Sequence, residues 1–199
     1  TVKGQIANAS TSAFEQCNKL TSVELTNSAI IAERAFWGCD SLASVTGSVA
    51  SIGESAFCNC NQLTIINLKD GINIPDSAFS GCERLTSIAI SPTSIGKNAF
   101  AGCVQLGNID LKNATSIGDY AFSYCLELDV RLGDNNSVGN YAFADCKINV
   151  YYGDNASEAE SKWNSLNVSG GSFKILGYYS DAMWEGTTVI AQLLTSIMN

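Results

Sequence analysis

The stretch Ser94-Ile-Gly-Lys-Asn-Ala-Phe-Ala-Gly-Cys-Val-Gln-Leu106 decides the reading of this chain, because nearly the same phrase returns along most of its length. Phe stands after Ala at positions 14, 36, 57, 79, 100, 122 and 143, at spacings that alternate between 22 and 21 residues. A Cys follows each Phe by three residues: Cys17, Cys39, Cys60, Cys82, Cys103, Cys125 and Cys146. Five residues before most of these Phe sits Ile31, Ile52, Ile74, Ile95, Ile117 or Val138, usually followed by Gly, as at Gly53, Gly96, Gly118 and Gly139. A fixed period of this length is the signature of a stacked repeat and outranks any local secondary-structure reading.

After each Cys comes a second apolar phrase, such as Leu63, Ile66, Leu68 or Leu106, Ile109, Leu111. Its last two apolar positions alternate with polar ones, the period of a strand with one buried face. Turn residues follow, as in "KDG" and "KNATS". The Ile-Gly-x-x-Ala-Phe-x-x-Cys segment fits a short extended piece and about one helical turn. A unit this small buries its apolar side only against its neighbours, so the copies must stack. Strands in register form a parallel sheet at about 4.8 Å per rung, and equivalent Leu, Ile, Ala, Phe and Cys side chains line up as ladders. The expected fold is therefore a repeat solenoid of about seven 21–22-residue repeats, curved, with short parallel strands.

These phrases resemble the BspA-like, or Treponema-type, leucine-rich repeat of bacterial surface proteins. The resemblance covers about residues 5–153 and implies a leucine-rich-repeat horseshoe with its parallel sheet on the concave side. It also implies a tendency: such proteins are mostly exported or surface-anchored, and those with known roles bind host or neighbouring-cell proteins. The first copy departs from the pattern, with Ala9 and Ser10 in place of Ile-Gly and no clear preceding strand. The strand phrases Leu128, Val130, Leu132 and Ile148, Val150, Tyr152 are shortened by one and two residues, which predicts irregular rungs at that end.

The chain divides into a solenoid at 1–153 and a C-terminal segment at 154–199. In that segment Ser157 with Glu160 forms a capping-box pattern that predicts a short helix burying Trp163 and Leu166. "SFKILGYYS" reads as a strand, and the apolar tail "VIAQLLTSIMN" needs burial but is too short to cross a bilayer. A solenoid's last rung leaves an open edge, so the segment reads as a cap, or else as a homodimerisation element.

Of 199 residues 46% are apolar, and the formal charge is −8 with 11 Lys and Arg that form no cluster. Nucleic acids and anionic membranes are not expected partners, and no apolar run is long enough for a membrane span. The chain starts "TVKGQIANAS", without an initiator Met or a basic-then-apolar leader. That start is expected to follow a removed export signal or to mark a cut from a longer chain.

The chain contains no His, the commonest general base near neutral pH. The ladder Cys are expected to be buried thiols without the nearby cation that activates a nucleophile. The pair Cys58 and Cys60 falls short of a zinc set. In-register Cys lie within disulfide reach, but parallel side chains favour reduced thiols that serve as small packing groups. Cys58 occupies a variable position and is expected to be the one accessible thiol. "GDN", at 133–135 and 153–155, reads as turn rather than as calcium loop. No enzyme activity, metal or cofactor is expected.

Function should then lie on exposed side chains. The partner-binding candidates on the outward face of the strands are Glu24, Thr46, Asn67, Asp110, Arg131 and Tyr151, the last two being the residue types that dominate protein interfaces. Trp37 and Tyr124, on the opposite variable side, form a second candidate patch. The expected function is a non-catalytic, secreted or cell-surface protein-binding module acting in adhesion or host and cell interaction. The alternative is a structural spacer within a larger surface protein.

Overall fold

Apolar residues two apart on each strand, followed by an Ala-Phe-x-x-Cys turn, produce one rung per repeat. The computed structural model describes residues 2–88 and 90–184 and shows a parallel β-solenoid. Its first sheet holds β1 (Val2–Ala9), β2 (Ser22–Ile31), β3 (Ser44–Ile52) and β4 (Ile65–Leu68) in that order. Single parallel bridges from Ile65 to Ser87 and from Ser87 to Asn108 carry it across the fifth rung. A second line runs beside it through β5 (Asn73–Ile74), β6 (Ser94–Ile95), β8 (Ser116–Ile117) and β10 (Ser137–Val138), the Ile-Gly step of each repeat. Beyond the bridges the first sheet continues as β7 (Asn108–Leu111), β9 (Glu127–Leu132) and β11 (Cys146–Tyr151). Helix α1 (Ala156–Ser165) follows, and β12 (Phe173–Tyr179) then adds one more parallel strand beside β11.

The ends are more regular than the sequence predicts. The first copy does have a strand: β1 pairs in parallel with β2, through two register shifts that absorb its irregular pattern. At the other end, β11 and β9 pair without a break from Lys147 opposite Glu127 to Tyr151 opposite Arg131. The shortened phrases cost connecting residues and leave the strand intact.

The core is a set of columns. Phe14, Phe36, Phe57, Phe79, Phe100, Phe122 and Phe143 stack with neighbouring ring centroids 5.1–5.7 Å apart and planes within 8°. These separations exceed the rung spacing, so each ring is offset over the next, the arrangement that the ring quadrupole favours. From Phe36 onward the rings are fully buried, each contributing about 1.5–3 kcal/mol. Trp163 of α1 closes the column, its ring 5.3 Å from Phe143 and tilted by 58°.

The turn that carries each Phe is not helical. It holds two residues in left-handed conformation, one two places before Phe and one two places after: Ser12 and Gln16, Arg34 and Gly38, Ser55 and Asn59, Ser77 and Gly81, Asn98 and Gly102, Tyr120 and Tyr124, Tyr141 and Asp145. Backbone N–H groups there donate to the next rung, as Phe79 N does to Ala99 O at 2.8 Å and Gly81 N to Ala101 O at 2.8 Å. Inter-rung bonds alternate there with bonds inside the turn, such as Ser80 N to Ser77 O and Cys82 N to Phe79 O, where a helical turn would bond internally throughout. Gly in the Ile-Gly step answers a different need: a Cβ on Gly118 would lie 2.6 Å from the Gly96 carbonyl carbon and the Lys97 nitrogen of the preceding rung.

The helix cap differs by two residues from the sequence reading. Asn155, not Ser157, is the N-cap, and its side chain accepts from Glu158 N. Glu158 in turn accepts from Asp154 N at 2.8 Å and from the Asn155 side chain at 2.9 Å. Trp163 is buried and Leu166 half-buried. The apolar tail, and the dimer read from it, lie outside the described residues.

Candidate functional site

The repeated thiol is the first candidate for chemistry, and its surroundings assign it another role. Cys39, Cys60, Cys82, Cys103, Cys125 and Cys146 are buried, and each Sγ donates to the backbone oxygen of the Phe one rung before, at 2.8–3.4 Å. The same oxygen accepts the N–H of the Cys in its own turn, as Phe57 O does from Cys60 N at 3.1 Å. The thiol is therefore a small apolar group that also satisfies the second lone pair of a buried carbonyl. Burial pushes the Cys39 thiol up to about 11 and raises Cys60, Cys82 and Cys103 well above the ordinary thiol value. Such groups are not nucleophiles at neutral pH.

Two thiols differ from the rest, where the sequence predicts one. Cys17, in the outermost rung, is exposed. Cys58 is half-buried between Trp37 and Arg34, and burial raises its thiol despite the Trp37 hydrogen bond and the Arg34 charge. The exposed thiol is a ladder member, in the first of the described rungs.

The sheet presents two columns of outward side chains. One runs Ser22, Ser44, Ile65, Ser87, Asn108, Asp129, Asn149. In the other, Glu24 pairs with Thr46 and, toward the C-terminal end, Asp110 pairs with Arg131 and Arg131 with Tyr151. Asn67 lies two residues past Ile65 and so faces the same way. Glu24, Thr46 and Asn67 are exposed, Asp110 is half-buried, and Ile65 between them is 45% exposed.

Arg131 and Tyr151 do not present themselves to solvent as the sequence reading expects. They are only 8% and 5% exposed, and Asp181 and Trp184 are among the residues that contact them. Arg131 Nε donates to Asp181 Oδ1 at 3.1 Å, and its NH1 lies 3.5 Å from Asp110 Oδ2. A desolvated guanidinium requires such partners. Tyr151 stacks on Tyr179 at 5.0 Å and meets the Trp184 ring at 5.3 Å and 69°. Burial pushes its hydroxyl up to about 12, with the Asp129 charge as the next cause.

Trp37 and Tyr124 do not meet. They sit on the second and sixth turns, roughly 20 Å apart at the strand spacing. Trp37 is half-buried under the Arg34 guanidinium, 5.0 Å from its ring centre, and Arg34 pairs with Glu15 at 2.6 Å. Tyr124 is 60% exposed. Sequence reasoning missed Tyr120 and Tyr141, exposed rings stacked at 5.0 Å and 3°. The repeated "YAF" at both places was the available signal. Among the described residues no His, Cys, Asp or Glu group is arranged to hold a metal, and no helix is long and apolar enough to cross a membrane.

Residues 30–150 match the family model of the BspA-type leucine-rich repeat region, in six copies. The chain belongs to the BspA-type leucine-rich-repeat family. Among solved structures, this BspA-type solenoid is similar to the T. pallidum leucine-rich repeat protein, at 25% identity and a TM-score of 0.52, covering 79% of this chain and 87% of that one. A leucine-rich repeat protein from Bacteroides ovatus matches at 18% identity, 90% and 68% coverage and a TM-score of 0.44. A leucine-rich cell surface protein from Faecalibacterium prausnitzii matches at 17% identity, 93% and 87% coverage and a TM-score of 0.32. No curated protein matches the chain.

Proposed function

We propose that this BspA-type repeat chain is a non-catalytic module, displayed outside the cell, that holds a protein partner across the outward columns of its first sheet. The observation that carries this reading is the group of exposed Glu24, Thr46 and Asn67 beside exposed Ile65, with half-buried Asp110 further along the sheet. A rigid ladder core supports every one of these positions, and such a face is the extended surface that solenoids offer to partners. The lack of His in the sequence and the raised pKa of the core thiols weigh against a catalytic role. Display outside the cell is argued from the family resemblance, which implies proteins that are mostly exported or surface-anchored.

The test is capture of extracellular host proteins and of intact neighbouring cells by wild type, by Thr46→Arg with Asn67→Arg, and by Tyr124→Ala. All three should melt alike. The paired arginines should reduce capture at least tenfold while Tyr124→Ala retains it. Loss only in Tyr124→Ala moves the interface to the turn side, and absence of capture by any of the three favours the spacer reading.

A further inference from the structure

The link between each ladder Cys and the strand after it changes along the stack. Two residues separate Cys103 from Leu106 and Cys125 from Leu128, but only Lys147 separates Cys146 from Ile148. The shorter link coincides with a cleft of about 660 Å³, lined by the residues that lead into β7, β9, β11 and β12, a volume within the range of ligand sites. The place after Cys holds Asn18, Asp40, Asn61 and Glu83 in the first four copies, then Val104 and Leu126 in the two copies that border the cleft. Leu126 is 59% exposed and, with half-buried Val104 and Phe173, gives the cleft an apolar lining. Beside it the strand register sets Glu127, Lys147 and Lys174 in a line across β9, β11 and β12. Lys147 Nζ lies 3.5 Å from Glu127 Oε1. Among the described residues Lys174 forms no ion pair.

We infer that this cleft binds a protein segment that sets an aliphatic side chain against Val104, Leu126 and Phe173 and a carboxylate between Lys147 and Lys174. The inference rests on the reading of the chain as a binding module and gives the partner a chemistry, through residues other than Thr46 and Asn67. Two features set the occupant. The first is charge. Lys147 and Lys174 are directly paired on neighbouring strands, whose backbones lie about 4.8 Å apart, so their ammonium groups repel. Glu127 stands on the side of Lys147 away from Lys174, and Asp145, the other carboxylate of the lining, accepts from the Ser172 hydroxyl. A carboxylate between the two lysines relieves the repulsion and takes charge-assisted hydrogen bonds from both. The second feature is the lining, which offers apolar surface next to a few placed polar groups, the composition of a ligand site. An acidic sugar would meet the lysines and leave that surface unused. A polyphosphate chain would meet Glu127 and Asp145 on a molecule of charge −8.

The experiment is an NMR titration of the full chain, with isotope-labelled Leu and Val methyl groups, against the end-blocked peptide Leu-Glu-Leu-Glu. The Val104 and Leu126 methyl signals should shift and saturate while those of buried Leu25 and Val49, far along the stack, stay in place. The peptide Leu-Gln-Leu-Gln and glucuronic acid should bind at least tenfold more weakly. Lys147→Gln with Lys174→Gln should weaken the Leu-Glu-Leu-Glu complex at least tenfold. Leu126→Asn, which installs the residue that the first and third copies hold at this place, should do the same. All of these side chains are exposed, so both variants should melt like wild type. Absence of a saturable shift, shifts away from Val104 and Leu126, equal binding of the Gln peptide, or indifference to the two lysines would overturn the inference. Glucuronic acid binding as tightly as the Glu peptide would assign the cleft to a sugar and overturn it as well. If the peptide fails while capture still depends on Thr46 and Asn67, the cleft falls and the binding reading stands. If the peptide binds while nothing is captured, the cleft stands without the wider face.

Discussion

At the scale of single residues, the ladder Cys is chosen because it meets three demands together. The position is fully enclosed, little larger than Ala, and faces a carbonyl oxygen with one lone pair unused. Ala meets the first two and leaves the oxygen without its second partner, while Ser brings a hydroxyl with a higher desolvation cost. Cys82→Ala should therefore lower the unfolding free energy by about 1–2 kcal/mol in urea titrations. Phe79→Ala, which removes a stacked ring from both neighbours, should cost about 3–5 kcal/mol. Tyr151 gives a prediction in pH. Its folded-state pKa is raised to about 12 by burial and by Asp129, so the native state holds the phenolic proton more tightly than the unfolded chain does. Its contribution is complete below the unfolded value near 10 and is lost as pH rises from about 10 to 12. Tyr151→Phe should remove part of the fall in melting temperature across that window, and an unchanged profile would contradict the burial.

At the scale of elements, repeat length and ladder composition were legible because each ladder demands the same residue at the same offset. The double left-handed turn was not legible, since its two special places hold Ser, Arg, Asn, Asp, Gln or Tyr far more often than Gly. A non-Gly residue there costs roughly 1 kcal/mol, which the inter-rung hydrogen bonds offset. The start of α1 was ambiguous for a simple reason: Asn155 with Glu158 and Ser157 with Glu160 have identical spacing. Asn155→Ala should destabilise by about 1 kcal/mol, and Ser157→Ala should change little. Equal effects measured by thermal melts would return the cap to Ser157. The outward face was legible as a pattern of alternation, and three of its proposed residues, Glu24, Thr46 and Asn67, are exposed. The covering of Arg131 was not, because Asp181 lies 50 residues further along and belongs to no repeat.

At the scale of the molecule, stability in a stack passes from rung to rung, so the two ends matter most. The first and last described rungs differ. At one end Phe14 is only half-buried and Cys17 is exposed. At the other, α1 and β12 continue the solenoid, with Trp163 against Phe143 and Phe173 edge-on to Trp163 at 5.6 Å. Trp163→Ala should cost about 3–5 kcal/mol and loosen the C-terminal rungs first, as amide exchange of Phe143 before Phe57 would show. The central claim is that like side chains share one dry column along the whole stack. Residue-resolved alkylation of the native protein, read by mass spectrometry, tests it most directly. Cys17 should react fast and Cys58 slowly, with Cys39, Cys60, Cys82, Cys103, Cys125 and Cys146 labelled only after unfolding; rapid labelling of Cys82 or Cys103 in the native state would contradict the stack.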